Sequence, residues 1–398
     1  MAPTALRPRL PFTRPDVLTV PPHLLELQAT APVVRVQTPV GDEGWLITRH
    51  ADVKRLLSDG SLCRSHRQPD KAARYSRSAL EGGPLGEDPD AEDADYGKMR
   101  RLLSPAFSPR RMRSIHADIS TLVNELFDEL LSRPRPVDFH DVLAYPLPVM
   151  VTCRLLGIPA DDRDQFRAWF EATTALYDEK RAADGFAALT DYMRTLIQVK
   201  KREPGEDLVS DLIAHDDEML TLDYLAIMVA GLLYAAHETT VERLDHGTIH
   251  LLSHQEQREA IRRDPQLMAS AIEEILRVAA PSRPPRVLYA RRDFEVGGQP
   301  VRTGELVMLS IAAANHDPAV FPDPLRFDLT RPANMHLSFG YGSHFCLGAA
   351  MARIEMELVF ARLVNIEPEL RLALSPQKLL QHENPASGGM DSLLLTWG

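Results

Sequence analysis

Apolar residues alternate with polar ones near the N-terminus, take up helical spacing through the middle of the chain, and alternate again toward the C-terminal third. Residues 33–38 and 45–48 flank the turn-rich Gly41-Asp42-Glu43-Gly44, which predicts a β-hairpin. A helical segment follows at 51–58. Residues 64–94 then shift to Pro, Gly, Ser and charge, the composition of a long loop of the kind that covers a site. Helical periodicity returns at 97–107, 112–131, 145–156, 163–176 and 185–201. The longest apolar-periodic stretch is 222–252, opened by Thr221 and Asp223 as capping residues. Another helix is predicted at 266–278, strands with a Gly297-Gly298 turn at 281–310, and a helix from 349 to 358. The pattern therefore predicts a mainly α fold with small β-sheets.

Composition narrows the class. The 398 residues are 44% hydrophobic and 25% charged, with no Gly/Ser linker or charge block, so residues 1–398 read as a single domain. Cys63, Cys153 and Cys346 lie far apart and form no CxxC pair, which argues against a disulfide scaffold or structural zinc and suits a reducing cytoplasm. The Pro- and Arg-rich residues 1–22 hold no apolar run of spanning length, so no membrane anchor is expected there. A net charge of −11 disfavours a nucleic-acid partner.

The most specific chemistry lies in Phe339-Gly340-Tyr341-Gly342-Ser343-His344-Phe345-Cys346-Leu347-Gly348. A helix former follows directly, so Cys346 is predicted at a helix N-terminus, where unpaired amides and the positive dipole end favour a thiolate. Gly340, Gly342 and Gly348 leave room for tight turns and a flat ligand. A lone cysteine is ordinarily an inert core residue. Within this ten-residue order it resembles the haem-binding loop of the cytochrome P-450 superfamily, whose iron is held by a cysteine thiolate.

Other segments fit that resemblance in the same order. Ala235-Ala236-His237-Glu238-Thr239-Thr240, inside the long apolar helix, is similar to the distal motif of the superfamily. The resemblance gives Thr239 the place of the alcohol beside dioxygen and Glu238 that of the neighbouring acid, a pair suited to relaying protons. Ala236 departs from the usual Gly. Glu274 and Arg277 resemble the ExxR pair, which implies a structural role, although such i, i+3 pairs are common surface stabilisers. The segments 315–318 and 321–327 also match, with His316 where Arg is usual. For the haem propionates the resemblance points to His344, Arg100 and Tyr96, the last replacing a His, and to Arg286 in place of the strand arginine where Leu288 stands.

The resemblance implies a cytochrome P-450 fold, a triangular helical prism around haem b. It further implies use of dioxygen and of electrons from NAD(P)H, delivered by a ferredoxin and ferredoxin reductase to a monomeric cytoplasmic enzyme. Arg100, Arg101, Arg110, Arg111, Arg113 and Arg353 form the basic cluster expected to dock an acidic ferredoxin. By family position the substrate pocket includes Leu80, Leu233, Ala236, His237, Arg283, Val287 and Met390. Several segments are similar to actinobacterial natural-product tailoring enzymes, which suggests oxidative C–N or C–C coupling of a tryptophan-containing dipeptide or cyclodipeptide. Hydroxylation of a macrolide or terpenoid is the alternative, and a non-catalytic haem sensor or carrier is an alternative of another class. Arg283 and Arg286 offer a further reading, in which they grip a carboxylate and the substrate is a simple acid.

Overall fold

The computed structural model describes residues 7–78, 82–159, 162, 164–173, 178–215, 220–279, 283–332, 334–366, 369–382 and 389–398. Its first half carries helices α1 (Pro22–Thr30), α2 (His50–Leu56), α3 (Glu92–Leu103), α4 (Pro109–Ser132), α5 (Pro146–Leu156), α6 (Asp164–Thr173) and α7 (Glu179–Arg202). These are followed by α8 (Leu208–Ile213), α9 (Leu222–Ser253), α10 (Gln255–Arg263), α11 (Leu267–Val278), α12 (Ile311–Ala314), α13 (Ala349–Asn365) and α14 (Pro376–Leu379). The strands are β1 (Val33–Gln37), β2 (Glu43–Ile47), β3 (Leu62–Cys63), β4 (Val137–Asp138) and β5 (Arg286–Ala290), then β6 (Phe294–Val296), β7 (Gln299–Val301), β8 (Leu306–Leu309), β9 (Arg371–Leu372) and β10 (Leu394–Thr396).

The predicted hairpin forms as β1–β2, with Val33 opposite Ile47 and Gln37 opposite Glu43. It joins a five-stranded sheet in the order β1-β2-β8-β5-β3, where β2 and β8 run parallel. Successive side chains of a strand point to opposite faces. Leu46, Leu306 and Met308 accordingly enter a core with Leu10, Val20 and Leu24, whereas Trp45, Ile47, Val307 and Leu309 pack on the other face with Val53. The 281–310 segment thus supplies strands, as its alternation predicts. Two smaller sheets, β4-β10-β9 and β6-β7, are also present among the described residues.

A larger core is built from α4, α5, α7, α9, α11 and α13. Helix α9 runs through it for 32 residues, about 48 Å at helical rise, and is capped by the Thr221 hydroxyl accepting from the Tyr224 amide. Among the described residues it is the helix long and apolar enough to cross a membrane, yet it packs inside the protein against α5, α7, α11 and α13. Gly247 lets α13 come close: a Cβ there would lie 2.3 Å from the Phe360 ring. The helix that follows the cysteine loop is thereby set directly against α9.

Several helices escaped the periodicity. In α10, Gln255-Glu256-Gln257-Arg258-Glu259-Ala260-Ile261-Arg262-Arg263, only Arg258 and Ile261 are buried, so no apolar stripe marks it. Helices α8, α12 and α14, of six, four and four residues, are too short for a repeating face, and α1 buries only Leu24, Leu27 and Gln28 after its prolines. Helix α3 starts at Glu92, five residues earlier than predicted, because its acidic first turn complements the helix dipole without any apolar signal.

Candidate active site

The cysteine loop is shaped by backbone that favours glycine. Gly340 and Gly342 have φ of 72° and 75°, and a Cβ on Gly342 would meet the Ser58 Cβ at 2.7 Å. Between them and α13 the Cys346 amide donates to the Phe339 carbonyl at 2.8 Å, closing the loop on itself. Arg100 on α3 donates from one Nη1 to the Phe345 carbonyl at 2.6 Å and to the Tyr96 hydroxyl at 3.2 Å. The Tyr96 ring stacks on His344, with centroids 4.0 Å apart and planes 25° apart. On the other flank Arg353 lies over the Phe339 ring at 4.6 Å and pairs with Glu273 at 2.6 Å. Burial alone would raise the Glu273 carboxyl, but bonds from His336 and Arg353 pull it down to about 2.

Cys346 opens into a cavity of about 990 Å³. The same wall carries Ala235, Ala236, Glu238, Thr239 and Thr240 of α9, the strand residues Arg286 and Val287, and Tyr96 and His344. Cys346 is exposed along the cavity, with protein packed closely around it. Burial therefore raises the thiol above its ordinary pKa, against the Gly348 amide, Arg100 and Arg353, which lower it. The Gly348 amide at the helix start is thus one of the groups that favour the thiolate, as expected, set against burial. His344 is shifted down by burial and by Arg286, so it stands there as a neutral donor. The Thr239 and Thr240 hydroxyls donate back to the carbonyls of Ala235 at 3.1 Å and Ala236 at 2.9 Å, as mid-helix threonines do.

A family model described as Cytochrome P450 matches residues 45–365, most of the chain. The chain belongs to the cytochrome P450 family. It is 40% identical to pentalenolactone synthase of Streptomyces exfoliatus over 98% of this chain and 99% of that protein. It is 36% identical to nocardicin C N-oxygenase of Nocardia uniformis subsp. tsuyamanensis over 97% and 98%. Among solved structures, the substrate-free cytochrome P450 PimD, a polyene macrolide antibiotic pimaricin epoxidase, superposes with a TM-score of 0.89. That match has 34% identity and covers 98% of this chain and 99% of that one. These likenesses establish the fold and an oxidoreductase of the monooxygenase type, resembling natural-product tailoring enzymes.

Cytochrome P450 enzymes carry haem and use dioxygen, and the residues here fit that group. One soft sulfur donor, Cys346, stands in a wall that also holds the hydrogen-bonding and cationic groups of Tyr96, His344 and Arg286. Gly340 and Gly348 line the same wall, and a Cβ on Gly348 would come no closer than 3.9 Å to Phe107. Leu288 is buried in the sheet core, whereas Arg286, two residues earlier on β5, reaches the cavity. Arg100 secures Tyr96 and the cysteine loop, and is not itself in the cavity wall.

The substrate residues divide. Ala236, Arg283 and Val287 line the cavity. Leu233, His237 and Met390 do not, which corrects their expected role. Leu233 is fully buried in the helical core, and Met390 lies in the same cluster. His237 stacks on Phe170 at 4.6 Å, meets the Tyr145 ring edge at 4.5 Å and donates from Nε2 to the Tyr145 carbonyl at 3.1 Å. Burial lowers its pKa to about 4, so the ring is a neutral packing group. Helical phase explains the split: positions 233, 237 and 244 share the core face, while 236, 239 and 243 share the cavity face. Leu80 lies outside the described residues.

Glu274 and Arg277 are fully buried and paired through two 2.8 Å bonds. The spacing showed neither that Arg331 and Asn334 also donate to Glu274 nor that Arg277 donates to the Asn315 and Pro324 carbonyls. Glu242 and Arg243 in the cavity wall were missed as well. Their i+3 and i+4 spacing from Thr239 is the signal that would have found them.

Proposed function

We propose that this cytochrome P450 oxidises a small natural product of the lactone or terpenoid type, with Cys346 as the haem ligand. The observation that carries the reading is the shared cavity wall of Cys346, Glu238 and Thr239. Tyr96, His344 and Arg286 would hold the propionates of haem b by hydrogen bonds and charge. When bound, haem with a thiolate ligand supplies dioxygen reduction and transfer of one oxygen atom to substrate. The Thr239 hydroxyl then passes a proton into the cavity, and the Glu238 carboxyl group re-protonates it from the solvent side. Val287 and Ala236 would give the substrate apolar contact.

The named relatives make lactones, oxygenate nitrogen and epoxidise a macrolide. None of these names involves a tryptophan-containing dipeptide, so coupling of that substrate finds no support. Electrons would come from NAD(P)H through a ferredoxin and its reductase. Arg101, Arg110 and Arg113, all exposed, suit an acidic partner, whereas Arg111 donates to the Glu206 carbonyl and Arg353 is paired with Glu273.

The test is the reduced carbonyl complex. Haem-loaded protein should show the long-wavelength band of a thiolate ligand, and Cys346→His should abolish it while Cys63→Ser and Cys153→Ser keep it. A band that survives Cys346→His would overturn the assignment. High-spin shifts with macrolactones or terpenoid lactones, set beside tryptophan cyclodipeptides, then decide the substrate type.

A further inference from the structure

Three charged side chains stand together in the cavity wall beyond Thr239. Glu242 is 1% exposed, Arg283 bonds its carboxylate from the segment leading into β5, and the Arg243 Nη1 lies 3.6 Å from the same oxygen. Two guanidinium groups and one carboxylate thus share this part of the wall. Arg243 is 13% exposed, and its Nη1 is buried with no hydrogen-bond partner among the described residues. A guanidinium offers five N–H donors in a planar fork, and leaving a buried one part-paired is costly. An anion in the cavity would meet the exposed parts of the two guanidinium groups, since Arg283 is 28% exposed and Arg243 13%.

We propose that Arg243 and Arg283 form a carboxylate-binding corner, and that the substrate is an acid-bearing natural product anchored there. This rests on the monooxygenase reading and adds the charge class of its substrate. The corner is well placed for the task. Arg243 lies four residues beyond Thr239 on the cavity face of α9, about 6 Å along the helix axis. An anchored carboxylate would thus hold the rest of a compact molecule beside the Glu238-Thr239 pair. Arg243 keeps its charge at neutral pH: burial lowers it to about 10, with Arg283 acting in the same direction and Glu242 opposing.

Of the other acids in the wall, Glu87, Asp88, Glu92, Asp95 and Glu238, two are engaged by backbone amides. Glu92 accepts the amides of Arg64 and Ser65, and Asp88 accepts that of Asp90, so these carboxylates fold their own loop. Glu242 is the internal counterion that keeps the two arginines in place and weakens anion binding by sharing their donors. That dual role gives its removal the opposite sign to removal of either arginine.

The experiment is a spectral titration of haem-loaded protein with matched pairs: 1-adamantanecarboxylate and its methyl ester, and dodecanoate and its methyl ester. Equilibrium dialysis of the acids checks binding independently of spin state. The acids should bind ~10-fold more tightly than the esters, about 1.4 kcal/mol. Arg283→Gln should erase that ratio by weakening the acids alone, and Glu242→Gln should widen it. Arg243→Gln is the second variant should Arg283→Gln lose the carbonyl band. Equal affinity of acids and esters in the unmodified protein, no binding of either, or a ratio unchanged in the arginine variants would overturn the proposal. Loss of the carbonyl band in the unmodified protein would instead overturn the monooxygenase reading beneath it.

Discussion

Replacing Glu274 with Gln tests how much of the fold beneath the cysteine loop depends on one buried charge. Its two oxygens accept from Arg277 Nε and Nη2 at 2.8 Å, from Arg331 at 3.2 Å, and from the Asp328 amide and Asn334 at 3.0 Å. The Glu274→Gln side chain would keep the shape and one acceptor oxygen, but it would place an amide donor toward guanidinium groups that cannot accept. Arg277, fully buried, would retain its bonds to backbone carbonyls and lose its counterion. Breaking a buried pair from one side costs about 3–5 kcal/mol, a large share of the roughly 5–15 kcal/mol that holds a domain folded. Urea unfolding of the haem-loaded protein, followed by circular dichroism and by the carbonyl band, reads the loss. As a control, Glu129→Gln breaks a half-exposed pair with Arg133 and should stay within about 0.5 kcal/mol. A loss below about 1 kcal/mol for Glu274→Gln, with the band intact, would refute the reasoning.

Thr239→Ala removes the cavity hydroxyl and should divert reducing equivalents to peroxide, ~10-fold or more by analogy with other losses of a positioned acid; unchanged coupling of electrons to product would count against the relay. Burial raises Glu355 to about 8 from an unfolded value of 4.5, so its contribution is fully present below 4.5 and lost as pH rises through 8. Glu355→Gln should therefore flatten the alkaline decline in stability between those values, and an unaltered pH profile of urea midpoints would disprove it. Ferredoxin affinity should fall with added salt and with Arg110 and Arg113 changed to Glu, measured by titration under both conditions.

The legible parts of this protein were those written in contiguous residues. The β1–β2 hairpin needed only local alternation and a Gly-Asp-Glu-Gly turn, and the cysteine loop announced itself in ten consecutive positions. Helix α9 was readable over nearly its full length because its capping Thr221 and apolar run agree. What failed was phase and long-range pairing. Residues 235–240 are all small or polar, so nothing in the run itself says whether His237 or Thr239, about half a turn apart, meets the cavity, and the aromatic pocket of Tyr145 and Phe170 settles it. Arg331 reaches Glu274 across 57 positions, and Arg283 reaches Glu242 across 41. No local pattern encodes such contacts.

The two faces of α9 explain how an apolar helix carries so many polar groups. On the core side burial holds His237 near 4 and His246 near 3, so both stay neutral at physiological pH, while His140 pairs with Asp245 at 2.7 Å. These groups lock the rotation of the helix through ring stacking and specific bonds, and His237 and His246 do so without a change of charge across the working range. On the cavity side, Glu238, Thr239 and Arg243 inherit that fixed rotation. Chemistry that moves a proton needs donors held to within a fraction of an ångström, and a helix pinned by its buried imidazoles provides that rigidity better than a loop. The core polar residues that resembled site residues in sequence therefore serve the site indirectly, by orienting the face that does reach the cavity.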